Sequence, residues 1–171
     1  LIRSMTGNEG SHPRASFHLH TGYIPNPSVK YPTFGSVVAK AIGDEQHDLP
    51  SFVRIGNRGR GATGSGFLGV DYAAFALNSA RNTPANTKPT TSDARYTRRL
   101  GFLEGLETDF AESGGEQVVA DHRKLYDKAS KMIRSPHMEA FDITREDRKT
   151  RDVYGDGEFA AGCLMARRLV E

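Results

Sequence analysis

Only two stretches of this chain read as β-strand, and that shortage limits the fold more than any other feature. Leu1–Met5 (LIRSM) is apolar and gives way to the punctuating TGNEGSHP, which suggests a short buried strand and a loop. Ser51–Gly56 (SFVRIG) follows Pro50 and reads as the second. Between them the pattern is helical. Residues 14–21 are expected to form a short helix after Pro13, with Gly22 as its C-terminal cap. Residues 33–43 (TFGSVVAKAIG) form another, with Thr33 as N-cap and Gly43 as terminator. Its Phe34, Val37, Val38, Ala41 and Ile42 follow the spacing of a single buried face.

A polar stretch rich in Asn, Thr and Pro runs from Asn78 to Ser92 and reads as a long surface loop. Beyond it the periodicity is helical. Leu100, Leu103, Leu106 and Phe110 form one stripe, which Gly114-Gly115 breaks. Val118, Val119, His122, Leu125, Tyr126, Ala129, Met132 and Ile133 form a second, closed by Ser135-Pro136. Together they predict an antiparallel helix pair over about 92–135. FDITREDRKTRDVYG suggests a short helix capped by Thr144, with Asp147 at its third position. GEFAAGCLMARRLVE opens a last helix. The order is strand, helix, helix, strand, loops, helices. It predicts an α/β architecture with the helix pair as an insertion and too few strands for a complete doubly wound sheet. The absence of an initiator Met and the mid-helix stop suggest an internal piece of a longer protein.

Charge excludes some partners. The net charge is +2 and basic residues are scattered, apart from the short pairs Arg98-Arg99 and Arg167-Arg168. That argues against nucleic acid. No apolar run reaches the length of a membrane span. Cys163 is alone, so there is no internal disulfide framework. In a helix such a thiol is expected to be a small core residue.

Several motifs invite a chemical reading. Gly59–Gly64 spells G-x-G-x-x-G after a predicted strand, a pattern that can cradle a pyrophosphate where a helix follows. No helical stripe follows here, so a mobile loop carrying Arg54, Arg58 and Arg60 near an anion site fits better, and a plain solvated loop better still. His18 and His20 would share a side only on a strand. On the predicted helix they point apart and cannot hold one metal. His122, on an apolar stripe, is expected to be a satisfied core histidine. His12 precedes Pro13 at a helix start, where free N–H groups and a positive field favour an anion or a nucleophile.

In order along the chain, IRSM…SH…HLHTGYIP, YPTFGSVVAKAIG, LPSFVRIG, GFLGVDYAAF, FDITRED and YGDGEFAAGCLMARRLVE resemble the domain of unknown function family 1501. That family belongs to the alkaline-phosphatase-like, sulfatase-like superfamily. The resemblance implies a three-layer α/β fold of which this chain is the middle part, carrying a helical insertion. It also implies an exported or periplasmic setting and a small anionic ester as substrate. A divalent metal, zinc or calcium, would be held in the full-length protein mostly by segments outside this chain. The chain alone is then expected neither to hold a complete metal centre nor to turn over substrate, and apolar surface left by missing strands would promote self-association. Sulfatases carry C-x-P-S-R, four residues, then T-G. Counted back from Thr21-Gly22, the nucleophile slot falls on His12, the Pro slot on Arg14 and the Arg slot on Ser16, with Ser11 adjacent. The expected site is therefore His12 and Ser11 as catalytic groups, His12 also as a metal ligand, and Arg14 and Thr21 as substrate contacts. Without Cys or Ser in the slot, formylglycine chemistry is not expected, and a non-catalytic envelope protein on the same fold is the other reading.

Overall fold

The computed structural model describes residues 4, 6–44, 46–56, 64–87 and 90–171. The chain divides into two compact units, Leu1–Ser79 and Ala80–Glu171. The described residues are mixed α/β and mostly helical, with a small two-stranded parallel sheet.

In the first unit, α1 spans His12–Thr21 and α2 spans Phe34–Ile42. Pro13 starts α1, and the Gly22 N–H donates to the His18 carbonyl (2.8 Å) to end it. The helix thus begins two residues earlier than expected and stops where expected. Thr33 caps α2: its Oγ1 accepts from the Ser36 N–H. Strands β1 (Val53–Ile55) and β2 (Phe75–Leu77) run parallel, with Val53 opposite Phe75 and Ile55 opposite Leu77. β2 escaped the sequence reading because three residues are too few to display an alternating pattern. The expected strand at Leu1–Met5 lies, except for Ser4, outside the described residues.

Close backbone packing shapes this unit. Gly66 stands at φ 54°, and a Cβ there would lie 2.2 Å from the Lys30 carbonyl oxygen. That carbonyl accepts from the Phe67 N–H at 2.9 Å, so the turn Gly66–Leu68 sits directly on the chain before α2. Only glycine meets both demands.

The predicted buried face of α2 is overturned. Phe34 is 73% exposed and Ile42 82%, and Val37 is exposed too. The helix buries Ser36 and Ala39 instead. The reason is steric and polar together. Gly35 lies against the ring of Phe52 so closely that a Cβ would approach it to 2.3 Å. Ser36 Oγ shares a hydrogen bond with Thr33 Oγ1 (3.1 Å). The small side of the helix can approach its neighbours more closely than the bulky side, and its hydroxyls are satisfied there.

The second unit begins with α3 (Asp93–Phe110) and α4 (Glu116–Arg134), joined by the turn Ala111–Gly115. Gly114 takes φ 99° in that turn, a conformation that costs a side-chain-bearing residue energy. The predicted antiparallel pair is present. Tyr96 Oη bonds Ser130 Oγ (2.7 Å) at the open end, and Glu107 meets His122 and Arg123 near the turn.

Beyond α4 come two short 3₁₀ turns, Pro136–Phe141 and Ile143–Arg145, then α5 (Arg148–Tyr154) and α6 (Glu158–Val170). Thr144 is not the cap of α5. Asp147 is, accepting from the Thr150 N–H at 2.7 Å, while Asp142 caps the turn that contains Thr144. A carboxylate accepts such bonds more strongly than a hydroxyl. α6 packs on the Pro136–Phe141 turn, where Phe141 is 1% exposed and Met165 0%, joined by buried Leu164 and Ala161. Each large apolar side chain buried this way contributes about 1.5–3 kcal/mol. Cys163 faces outward and is not a core residue.

Arg168 threads this core's polar edge. It donates to the Ala140 carbonyl (3.1 Å) and the Glu139 carbonyl (2.9 Å) and pairs with Glu146. Arg167 pairs with Glu171 (2.7 Å) and lies 3.7 Å from Glu146. The terminal basic pair is therefore an internal fastener of the Pro136–Glu146 segment.

Candidate functional site

Ser11, His12 and Arg14 share the first turn of α1. Ser11 is the N-cap. Its carbonyl accepts from the Ala15 N–H (2.8 Å), but its hydroxyl makes no capping bond. His12 is the first helical residue, exposed, with no hydrogen-bond partner among the described residues. Both groups stand where the helix presents unsatisfied N–H donors and partial positive charge.

Arg14 is already engaged. Its guanidinium grips Glu9 with two parallel bonds, Nε to Oε2 at 2.8 Å and Nη2 to Oε1 at 2.7 Å. That bond to Arg14 holds the Glu9 carboxyl below the usual carboxylate range, and Glu9 in turn raises the Arg14 pKa. Glu9 was not singled out in the sequence. Four residues separate it from Arg14, a glycine and a proline among them, so no helical spacing announced the pair.

Thr21 lies at the other end of α1, about 14 Å from His12 at 1.5 Å rise per residue. Its hydroxyl donates to the Phe17 carbonyl (2.8 Å) and accepts from the Tyr23 N–H (3.1 Å). In this structure it finishes the helix and does not meet Ser11 or His12. His18 and His20 diverge as helical spacing requires. His20 Nδ1 donates to the Ser16 carbonyl (2.7 Å), while His18 lines a groove with Tyr23, Pro25 and Tyr31. Tyr23 and Tyr31 stack there with ring centroids 4.2 Å apart. No sequence signal pointed to that groove, because seven residues of irregular chain separate the two rings.

Residues 57–63, which carry Arg58, Arg60 and all of the glycine motif but its final Gly64, lie outside the described residues. The Gly66–Leu68 turn that follows is not the helix a dinucleotide pattern needs. His122 is not in the core. It is half-exposed and satisfied by Glu107, whose carboxyl it holds below the ordinary range, with Arg123 adding to the effect. In the second unit a cleft of about 380 Å³ is lined by Arg81, Thr144, Arg148 and Arg151. Arg81 pairs with Glu158 (2.9 Å) and Arg148 with Asp152 (3.6 Å).

Among the described residues no three His, Cys, Asp or Glu side chains converge as metal ligands. These residues by themselves do not fit a complete metal centre, and the N-terminal end of α1 offers an ion the imidazole of His12. No helix among the described residues is long and apolar enough to cross a membrane.

Residues 1–171 match the model of the family described as Protein of unknown function (DUF1501). The chain belongs to that family. No curated protein and no solved structure matches it. Family membership thus covers both units.

Proposed function

We propose that this DUF1501 chain is the internal part of an alkaline-phosphatase-like protein, and that the full-length protein hydrolyses a phosphate or sulfate ester at the N-terminal end of α1. One observation carries the reading: Ser11 and His12 stand side by side at a free helix start, the hydroxyl unused in capping and the imidazole unpartnered among the described residues. An anionic ester would meet the backbone N–H groups of that turn. His12 would hold or transfer a proton beside it, and Ser11 would supply a hydroxyl. A divalent ion, held mainly by residues outside this chain, would supply Lewis-acid chemistry.

A second reading has its own support. Glu9 neutralises Arg14, the cation nearest His12 in sequence, and so weakens the pull on an anion. That fits a non-catalytic protein on the same fold. The test is His12→Ala in the full-length, metal-loaded protein, with aryl phosphate and aryl sulfate hydrolysis and bound metal measured together. The hydrolase reading expects hydrolysis to fall at least about a hundredfold, the scale of a lost general acid or base. Unchanged hydrolysis and metal content would remove His12 from the site. No hydrolysis in the parent protein would favour the binding role.

A further inference from the structure

The α3–α4 hairpin carries an exposed face with an unusual order along it. Tyr96–Ser130 and Glu107–His122 fix which sides of the two helices look at each other. At about 100° per residue, Leu106 lies about a quarter-turn and Phe102 about a third of a turn from that contact, on the same side of α3. Val118 and Leu125 lie about a quarter-turn from it on α4, and because the helices run antiparallel all four point to the same side. All four are exposed, Phe102 at 78% and Leu106 at 66%.

Charge flanks this apolar centre asymmetrically. Arg95, Arg98 and Arg99 border a shallow pocket with Phe102 on the side toward the start of α3. Asp109, seven residues after Phe102, falls on the same face toward the turn, and Glu112 follows in the turn itself. The ion pairs Glu107–Arg123 and Asp93–Arg134 engage other charges of the hairpin. Along α3 the face therefore runs basic, apolar, acidic.

Such a face complements a copy of itself rotated by a two-fold axis. With the axis between Phe102 and Leu106, Phe102 of one copy packs beside Leu106 of the other. Arg98 and Arg99 then meet Asp109, and Arg95 meets Glu112. The eighteen residues of α3 span about 27 Å, and two helices at about 10 Å spacing present about 500 Å² per copy. Two such faces reach the roughly 1,000 Å² of a specific interface. We infer that the hairpin is a homodimerisation surface, two copies pairing antiparallel through α3. This rests on the hairpin alone and stands apart from the reading of α1.

Charge reversal tests it, read by sedimentation velocity on the full-length protein at low salt. The parent is expected to sediment as a dimer. Arg98→Glu/Arg99→Glu places like charges opposite Asp109 and should sediment as a monomer. Asp109→Lys/Glu112→Lys should do the same. An equimolar mixture of the two variants should regain the dimer mass, because each reversed set meets its complement. All four positions are exposed, so helicity by circular dichroism should not change. A monomeric parent at tens of micromolar would overturn the proposal. So would variants that stay dimeric, which would move self-association to another surface such as the apolar side of α2, or a mixture that stays monomeric.

Discussion

α2 and α6 look alike as sequence and differ as structure. Both are short amphipathic helices, yet α6 turns Ala161, Leu164 and Met165 inward while α2 turns Phe34, Val37 and Ile42 outward. An apolar face is only a demand for a partner. In the second unit the Pro136–Phe141 turn supplies one, with Phe141 seated against α6. In the first unit, Gly35 and Ser36 let the opposite side of α2 come closer to its neighbours than bulky side chains could. The difference extends to charge. Arg168 is held by two carbonyls and Glu146, whereas Arg14 holds Glu9 at the surface.

The largest test of this contrast is truncation. Met165→Ala should cost about 2–5 kcal/mol, since a fully buried side chain leaves a cavity. Ile42→Ala, on the exposed side of α2, should stay within about 0.5 kcal/mol. Denaturant unfolding followed by hydrogen exchange would report each unit separately. If Ile42→Ala proved the costlier change, the apolar side of α2 would be covered in solution.

A smaller effect is expected from the charges. Arg168→Met leaves Glu146 and two carbonyls without their donor and should cost about 1–3 kcal/mol. Arg14→Met should change stability little, because exposed pairs are weak and screened. Equal melting temperatures for the two variants would break the distinction.

Acid should divide the units more gently. Glu107, Asp142, Asp147 and Glu171 in the second unit all have depressed carboxyl pKa values, set foremost by His122, Thr144, Thr150 and Arg167 respectively. In the first unit Glu9 is depressed by Arg14. A depressed carboxyl stabilises the fold above its unfolded pKa of about 4, and the contribution is lost as pH falls through the lower folded value. Exchange protection should therefore fall in the second unit before the first as the pH drops below about 4. Earlier loss in the first unit would sink this.

Much of the helical framework was legible because its signals are local. Pro13, Gly22, Thr33 and Gly114-Gly115 act within a few residues of where they stand, so the end of α1, the start of α2 and the hairpin turn could be read directly. Where the reading failed, a competing partner decided. Asp147 outbid Thr144 as a cap because a carboxylate is the stronger acceptor. Cys163 faces outward because Ala161, Leu164 and Met165 occupy the inner side of α6. At the candidate site, His12 stood out from its place before Pro13, and Ser11 from its place beside the nucleophile slot of the resembled family. Glu9 was not, because its contact with Arg14 crosses a loop with no fixed period.

Sequence alone determined where the backbone turns, which segments are helical, that two of them pair antiparallel, and that His18 and His20 diverge. These follow from dihedral preferences and a fixed helical repeat, which need no distant partner. Tertiary structure alone decided which side of α2 is buried, that β1 finds β2, and that Arg167 and Arg168 are fasteners. Those outcomes depend on which surfaces can approach most closely and satisfy their polar groups, a competition between segments far apart in the chain.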